Sequence, residues 1–247
     1  MNHLKIKFIV ILLLLANRLF AQVPKTDTIK EMHGLQFGIL MSRKYLQFTE
    51  SQDGRVNFQS ILTRQIKKIQ NNGKEQLLII QSYQSGTIDK DSSYCDLSTL
   101  LPVAYHSDVQ SEGYKEKVIF AKTGIETTIT TKDGTKMFTL ENKQLFNGVM
   151  MDEIISSLKL REGVTYVFKA LNPGMNHFEY LENIFVEGKE VIELAGIGKI
   201  SCWKIKTQME GSPGSDEWYT VKDQIQVKKR FELAGGSVFY RVLLTGI

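Results

Sequence analysis

What most constrains this chain is a hydrophobic pattern that repeats every two residues from Leu35 onward, carried by β-branched and aromatic side chains between short turn signals. A period of two sends alternate side chains to opposite faces of an extended strand, so the pattern calls for antiparallel sheet with one covered face. The clearest case is Ile61-Leu62-Thr63-Arg64-Gln65-Ile66-Lys67-Lys68-Ile69, followed by Asn71-Asn72-Gly73-Lys74 and the returning run Gln76-Leu77-Leu78-Ile79-Ile80. The Asn-Gly step supplies the positive φ angles of a tight hairpin. A helix over Ile61 to Ile69 is the alternative, because Lys and Gln are good helix formers.

The same pattern recurs at Val118 to Phe120, at Glu126 to Thr131 and, across Lys132-Asp133-Gly134-Thr135, at Met137 to Leu140. Downstream strands are expected at Thr165 to Leu171, Glu179 to Val186, Glu190 to Ala195, Ile200 to Gln208, Glu217 to Val221, Ile225 to Glu232 and Val238 to Leu244. Their separators Asn172-Pro173-Gly174, Glu187-Gly188-Lys189, Gly196-Ile197-Gly198, Gly211-Ser212-Pro213-Gly214 and Ala234-Gly235-Gly236 read as turns. One segment breaks the period. Met150, Met151, Ile154, Ile155 and Leu158 stand at helical spacing, with Asp152 and Glu153 near the positive end of the dipole, so one short helix is expected from Val149 to Leu160.

The fold class is therefore mainly β: a single curved antiparallel sheet or half-barrel with one short capping helix, because flat sheets of this width are uncommon. Aromatic residues in such an architecture either fill a core or line a cavity for an apolar ligand. The candidate lining residues are Met151, Ile154, Ile155 and Leu158 on the helix, with Tyr166, Phe168, Trp203 and Trp218 on the strands.

Ahead of the sheet, Lys5 and Lys7 precede an apolar run from Phe8 to Ala16, and Leu19-Phe20-Ala21 comes just before Gln22. The run is far shorter than the roughly 20 residues of a bilayer span, and Ala21 is the small residue a signal peptidase needs. Residues 1–21 are thus expected to be a signal peptide. Residues 22–247 form one all-β domain, with 22–34 loosely ordered and no transmembrane span, working in the periplasm or outside the cell. No cysteine stands immediately after the expected cut, the first being Cys95, so a lipid anchor is not expected. Losing Lys5, Lys7 and Arg18 takes the formal charge of +4 to +1, which removes the case for a nucleic-acid partner. The basic clusters Arg64, Lys67, Lys68 and Lys228, Lys229, Arg230 read as solvated strand faces. Cys95 and Cys202 are the two cysteines, and a disulfide between them and two buried free thiols are both open readings.

Catalytic patterns are sparse. His33, His106 and His177 are scattered, neither cysteine has a Cys partner at ligand spacing, and no metal or cofactor is expected. A Gly-x-Ser-x-Gly elbow is absent, and Gly196-Ile197-Gly198 lacks the helix that would cradle a phosphate. A pair of carboxylates from distant strands is the hardest class to exclude. Asp152 and Glu153, the adjacent acids on the expected helix, are better explained by its N-terminus than as general acid and base.

Several phrases resemble a known family. Asp96-Leu97-Ser98-Thr99-Leu100-Leu101-Pro102 looks like the D-x-x-T-L-x-P step of the TapB-like exported proteins, grouped as domain of unknown function 3108. Leu158-Lys159-Leu160-Arg161-Glu162-Gly163 with Tyr166, Val186-Glu187-Gly188-Lys189-Glu190, Cys202-Trp203-Lys204-Ile205 and Trp218-Tyr219 are similar to its later helix and strands. The resemblance spans about Tyr45 to Leu244 and implies an all-β periplasmic protein without an established activity or catalytic residues. It also implies a distant likeness to the half-barrels of lipoprotein carriers, with an acyl chain or lipoprotein as cargo. The function expected from the sequence is non-enzymatic binding of a lipid-like ligand or an envelope component. The alternatives are a secreted hydrolase using carboxylates on separate strands, and a docking protein that offers a sheet edge to an envelope partner.

Overall fold

The computed structural model describes residues 25–29, 40–141, 144–174, 178–210 and 213–245. The expected leader, His33, His177 and the Gly211-Ser212 half of one turn lie outside them. The first strands are β1 (Lys25–Thr28), β2 (Leu40–Glu50), β3 (Val56–Asn71), β4 (Lys74–Gln84), β5 (Ile88–Asp96) and β6 (Pro102–Val109). There follow β7 (Tyr114–Ala121), β8 (Gly124–Thr131), β9 (Gly134–Glu141) and the short β10 (Phe146–Asn147). A single turn of 3-10 helix, Gly148–Met150, leads into α1 (Met151–Ser157). The chain then runs through β11 (Val164–Asn172), β12 (Phe178–Leu194), β13 (Gly198–Met209), β14 (Ser215–Thr220), β15 (Gln226–Glu232) and β16 (Val238–Thr245).

All these strands belong to one sheet in the order β1-β11-β12-β13-β14-β15-β16-β2-β3-β4-β5-β6-β7-β8-β9, with β10 also against β11. Two meanders are thus joined where β16 pairs with β2, and the sheet is not closed into a barrel. Its curl follows from the core. β4 and β12 stand seven strand spacings apart in that order, about 33 Å if the sheet were flat. Yet Leu77 and Ile79 of β4 share a buried cluster with Ile184 and Val186 of β12. The sheet wraps far enough for both wings to pack into one core around α1.

The helix fills the space between the wings. Met150, Ile154 and Ile155 are fully buried in that cluster, each contributing roughly 1.5–3 kcal/mol of apolar burial. Asn147 caps the 3-10 turn by accepting from the Val149 N–H at 3.1 Å, and its amide donates to Ser93 Oγ of β5. The helix is shorter than the expected Val149 to Leu160. Leu158 leaves it with an extended backbone, which lets Leu158 and Leu160 both turn into the core.

One expected turn is corrected. Glu187-Gly188-Lys189 lies inside the single long strand β12, where the register against β13 shifts between Val186 and Gly188. Gly188 has φ of +150°, so its backbone freedom serves a β-bulge that bends the strand without ending it. The hairpin at Asn72 and Gly73, with φ of +50° and +75°, is as expected, and Ile61 to Ile69 is strand.

Candidate functional site

The inward side of the sheet is polar along one band. In β3, Arg64 alternates in phase with Leu62 and Ile66, so the same period that buries those two buries the arginine. Reading across neighbouring strands, Arg43, Arg64, Gln81, Asp91, Ser107 and Glu116 stand opposite one another from β2 to β7, all buried. A second row runs from Glu217 through Lys229 and Arg241 to Gln47 and Ser60, from β14 back to β3. Buried charges persist only when paired, and α1 supplies partners for both rows. Glu153 takes Arg64 Nε at 3.0 Å and also its Nη2, and Asp152 takes Arg241 Nη1 at 3.0 Å and the Gln226 amide at 3.2 Å.

Placement sets the acids apart. Burial alone would push the Asp152 carboxyl up, but Arg241, Arg64 and Lys229 together hold it below the usual carboxylate range. Glu217 is likewise held low against burial by Lys229 Nζ, 2.7 Å away, and by the Tyr219 hydroxyl, which donates at 2.8 Å. Glu182 goes the other way. Burial and the charge of Glu217 raise it to about 7, against the pull of Lys229. Burial raises Asp91 to about 6, although Gln81 donates to both its oxygens.

Between α1 and the β12–β16 wing lies a cavity of about 250 Å³ whose wall includes Arg64, Tyr83, Asp152, Glu182, Lys229 and Arg241, with Met151, Phe178, Tyr180 and Met209 at its apolar edge. An adjoining hollow of about 430 Å³ is walled by Met209, Pro213, Phe231, Leu233 and Ala234. Glu182, Thr207, Met209 and Lys229 border both, so a polar space opens beside a mostly apolar one. Gly148 forms part of the first wall: a Cβ there would meet the Tyr180 hydroxyl and sit 3.1 Å from the Leu171 carbonyl oxygen.

A model of the family described as protein of unknown function DUF3108 matches residues 52–244. The chain belongs to that family. The fold is similar to the crystal structure of a beta-barrel-like protein of domain of unknown function DUF1849 from Brucella abortus, with a TM-score of 0.56. The two are 8% identical, and the match covers 85% of this chain and 98% of that one, so the likeness concerns the fold alone. No curated protein matches the sequence.

Within this DUF3108 chain, the residues expected to line a ligand space are dispersed. Met151 borders the polar cavity. Ile154, Ile155, Leu158, Tyr166 and Phe168 are side chains of the core cluster around α1, with Trp203 packed against it, and Phe168 also borders a separate hollow of about 280 Å³ near β10. Trp218 belongs to a second cluster with Tyr45, Leu62 and Cys202. The possible disulfide is corrected. Cys95 and Cys202 are free thiols in these two different clusters, and burial raises both, Cys202 to about 11.

The basic clusters are corrected in part: Lys67 is exposed as expected, but Arg64 is buried and Lys229 sits half-buried against Glu217. Asp152 and Glu153 pair with cations of the sheet, a stronger tie than the dipole of a seven-residue helix. His106 lies exposed on β6, and among the described residues no three potential ligands gather to hold a metal ion. Nor is any described helix long and apolar enough to cross a membrane. Glu182, Arg241 and Tyr83 were not singled out by the sequence, although Arg241 stands in a strand pattern where alternation points it inward.

Proposed function

We propose that this chain is an exported, non-enzymatic binding protein that holds one amphiphile in the two adjoining hollows, with its polar end against the charged wall and its chain in the apolar space. The observation that carries this reading is the wall shared by Glu182, Thr207, Met209 and Lys229. Ligand sites are concave and mostly apolar, with a few placed polar groups that fix orientation, and this pair of spaces has that composition. Export rests on the leader pattern of residues 1–21.

The test uses the protein expressed with its leader in a bacterial host and recovered from the periplasm. Organic extraction of the purified protein should yield a bound lipid, and an environment-sensitive apolar dye should brighten on addition. A protein that stays in the cytoplasm refutes the export half. One that yields no lipid and leaves the dye dark refutes the binding half.

A second reading is a hydrolase. Asp152 and Glu182 face one cavity with opposite shifts, and divergent carboxyls are what an acid and a base require. Against it, both Asp152 oxygens are engaged, by Arg241 and Gln226. Turnover of chromogenic glycosides or esters that disappears in Glu182→Gln would favour this reading over storage.

A further inference from the structure

The charged wall also decides which end group an amphiphile can carry, a step that rests on the binding reading above. We infer that the polar cavity takes an anionic head, a carboxylate or a phosphate, held between Arg241 and Lys229. The argument is an account of unused hydrogen-bonding capacity.

Arg241 gives Nη1 to Asp152, while its buried Nε has no partner. Lys229 commits one N–H to Glu217 and, as an ammonium, has others to give; its side chain is 21% exposed. The two neighbouring carboxylates are taken, and the acceptor left without a partner beside them is the neutral amide oxygen Gln226 Oε1. Asp152 accepts from Gln226 and Arg241, and Glu217, fully buried, accepts from Tyr219, Gln226, Thr207 and Ser215. Arg64 is spent on Glu153, Gln81 and the Val149 carbonyl. A wall with spare donors fits a ligand that brings acceptors, and an ionised acceptor gains most. Glu182, faced by Glu217 from β14 and Lys229 from β15, is raised to about 7, so near neutrality it repels such a head less than a fully ionised carboxylate would. A cationic head would instead meet two cations.

Four probes of one chain length separate the outcomes: dodecanoate, dodecyl phosphate, dodecyltrimethylammonium and dodecyl maltoside. Titrated into the full chain at fixed ionic strength, the two anions should bind about ten-fold tighter than the other two. Equal affinities overturn the anionic assignment and leave the binding reading standing; no binding by any probe overturns the binding reading itself. Inorganic phosphate that displaces dodecyl phosphate at equal concentration would keep the anion site and overturn the amphiphile.

Location is tested separately. Bound dodecyl phosphate should protect Lys229 from reductive methylation read by mass spectrometry, and an unprotected Lys229 overturns the placement. The paired change Asp152→Asn with Arg241→Gln, which leaves no orphaned charge between them, should bring the four affinities within about three-fold of each other. If that variant does not fold, the protection experiment on the unmodified chain still decides.

Discussion

Arg64 of β3 and Glu153 of α1, 89 residues apart in sequence, meet as a buried two-point ion pair, with Nε donating to Oε1 at 3.0 Å and Nη2 to Oε2. The pair fastens the helix to the sheet at the place where the two wings face each other. Gln81 and the Val149 carbonyl take two of the three remaining guanidinium N–H groups, and Asp152 lies 3.9 Å from Nε. Removing Arg64 therefore strips Glu153 of its cation, and removing Glu153 leaves Arg64 with a more distant, shared acid in a buried setting.

Arg64→Met and Glu153→Gln should therefore each destabilise the fold by about 3–5 kcal/mol, and Arg64→Met with Glu153→Leu should recover most of that loss. Urea denaturation of the two single variants and the double variant measures it. Single variants that lose under 1 kcal/mol would show that the pair contributes little.

Stability should depend on pH in two directions. An acid whose folded pKa lies above its unfolded value keeps its proton longer in the folded state, so its contribution is complete below the unfolded value and is lost as pH rises through the folded one. Glu182 at about 7 and Asp91 at about 6 behave this way. Asp152 and Glu217, held low, contribute above their unfolded values and lose that contribution as pH falls. Maximum stability should therefore lie near about pH 5, and Glu182→Gln should recover roughly 3 kcal/mol at pH 8. A denaturation midpoint that rises steadily from pH 5 to pH 8 would contradict this account.

Gly148 sits where a side chain has no room beside Tyr180 and the Leu171 carbonyl. Gly148→Ala should cost about 1–3 kcal/mol, and Tyr180→Phe, by removing the hydroxyl it would strike, should restore part of it. Thermal melts of the two variants and their combination provide the comparison.

Cys95 and Cys202, buried and raised by burial, should resist alkylation in the native protein. Unfolding without reductant should expose two reactive thiols per chain by mass spectrometry. A mass consistent with a disulfide would contradict the free-thiol assignment.

Much of the sheet was legible in the sequence because its physics is local. The Asn72-Gly73 hairpin, the Thr-rich β8 and the break in period at Met150 each carry their signal within a dozen residues. The Asp96 motif also proves local: its Oδ1 accepts from the backbone and hydroxyl groups of Ser98 and Thr99, and Leu100, at φ of +57°, turns into the core. Arg64 was half legible. Its phase with Leu62 and Ile66 pointed inward, but a positive charge in a basic run read as surface until Glu153 was beside it. Gly188 misled because a bulge and a turn use the same residue. The cavity was not legible, since Glu182 and Lys229 border one space only through the curl of a sheet in which their strands are not neighbours.

The pairing of β16 with β2 has a consequence for how such a molecule comes into being. The seam between the two meanders closes with a late strand against an early one, so every partial chain that stops short of β16 holds an open row of unmatched backbone groups at its centre. Contacts that distant in sequence form slowly. A polypeptide built this way cannot finish its central seam until β16 has been made.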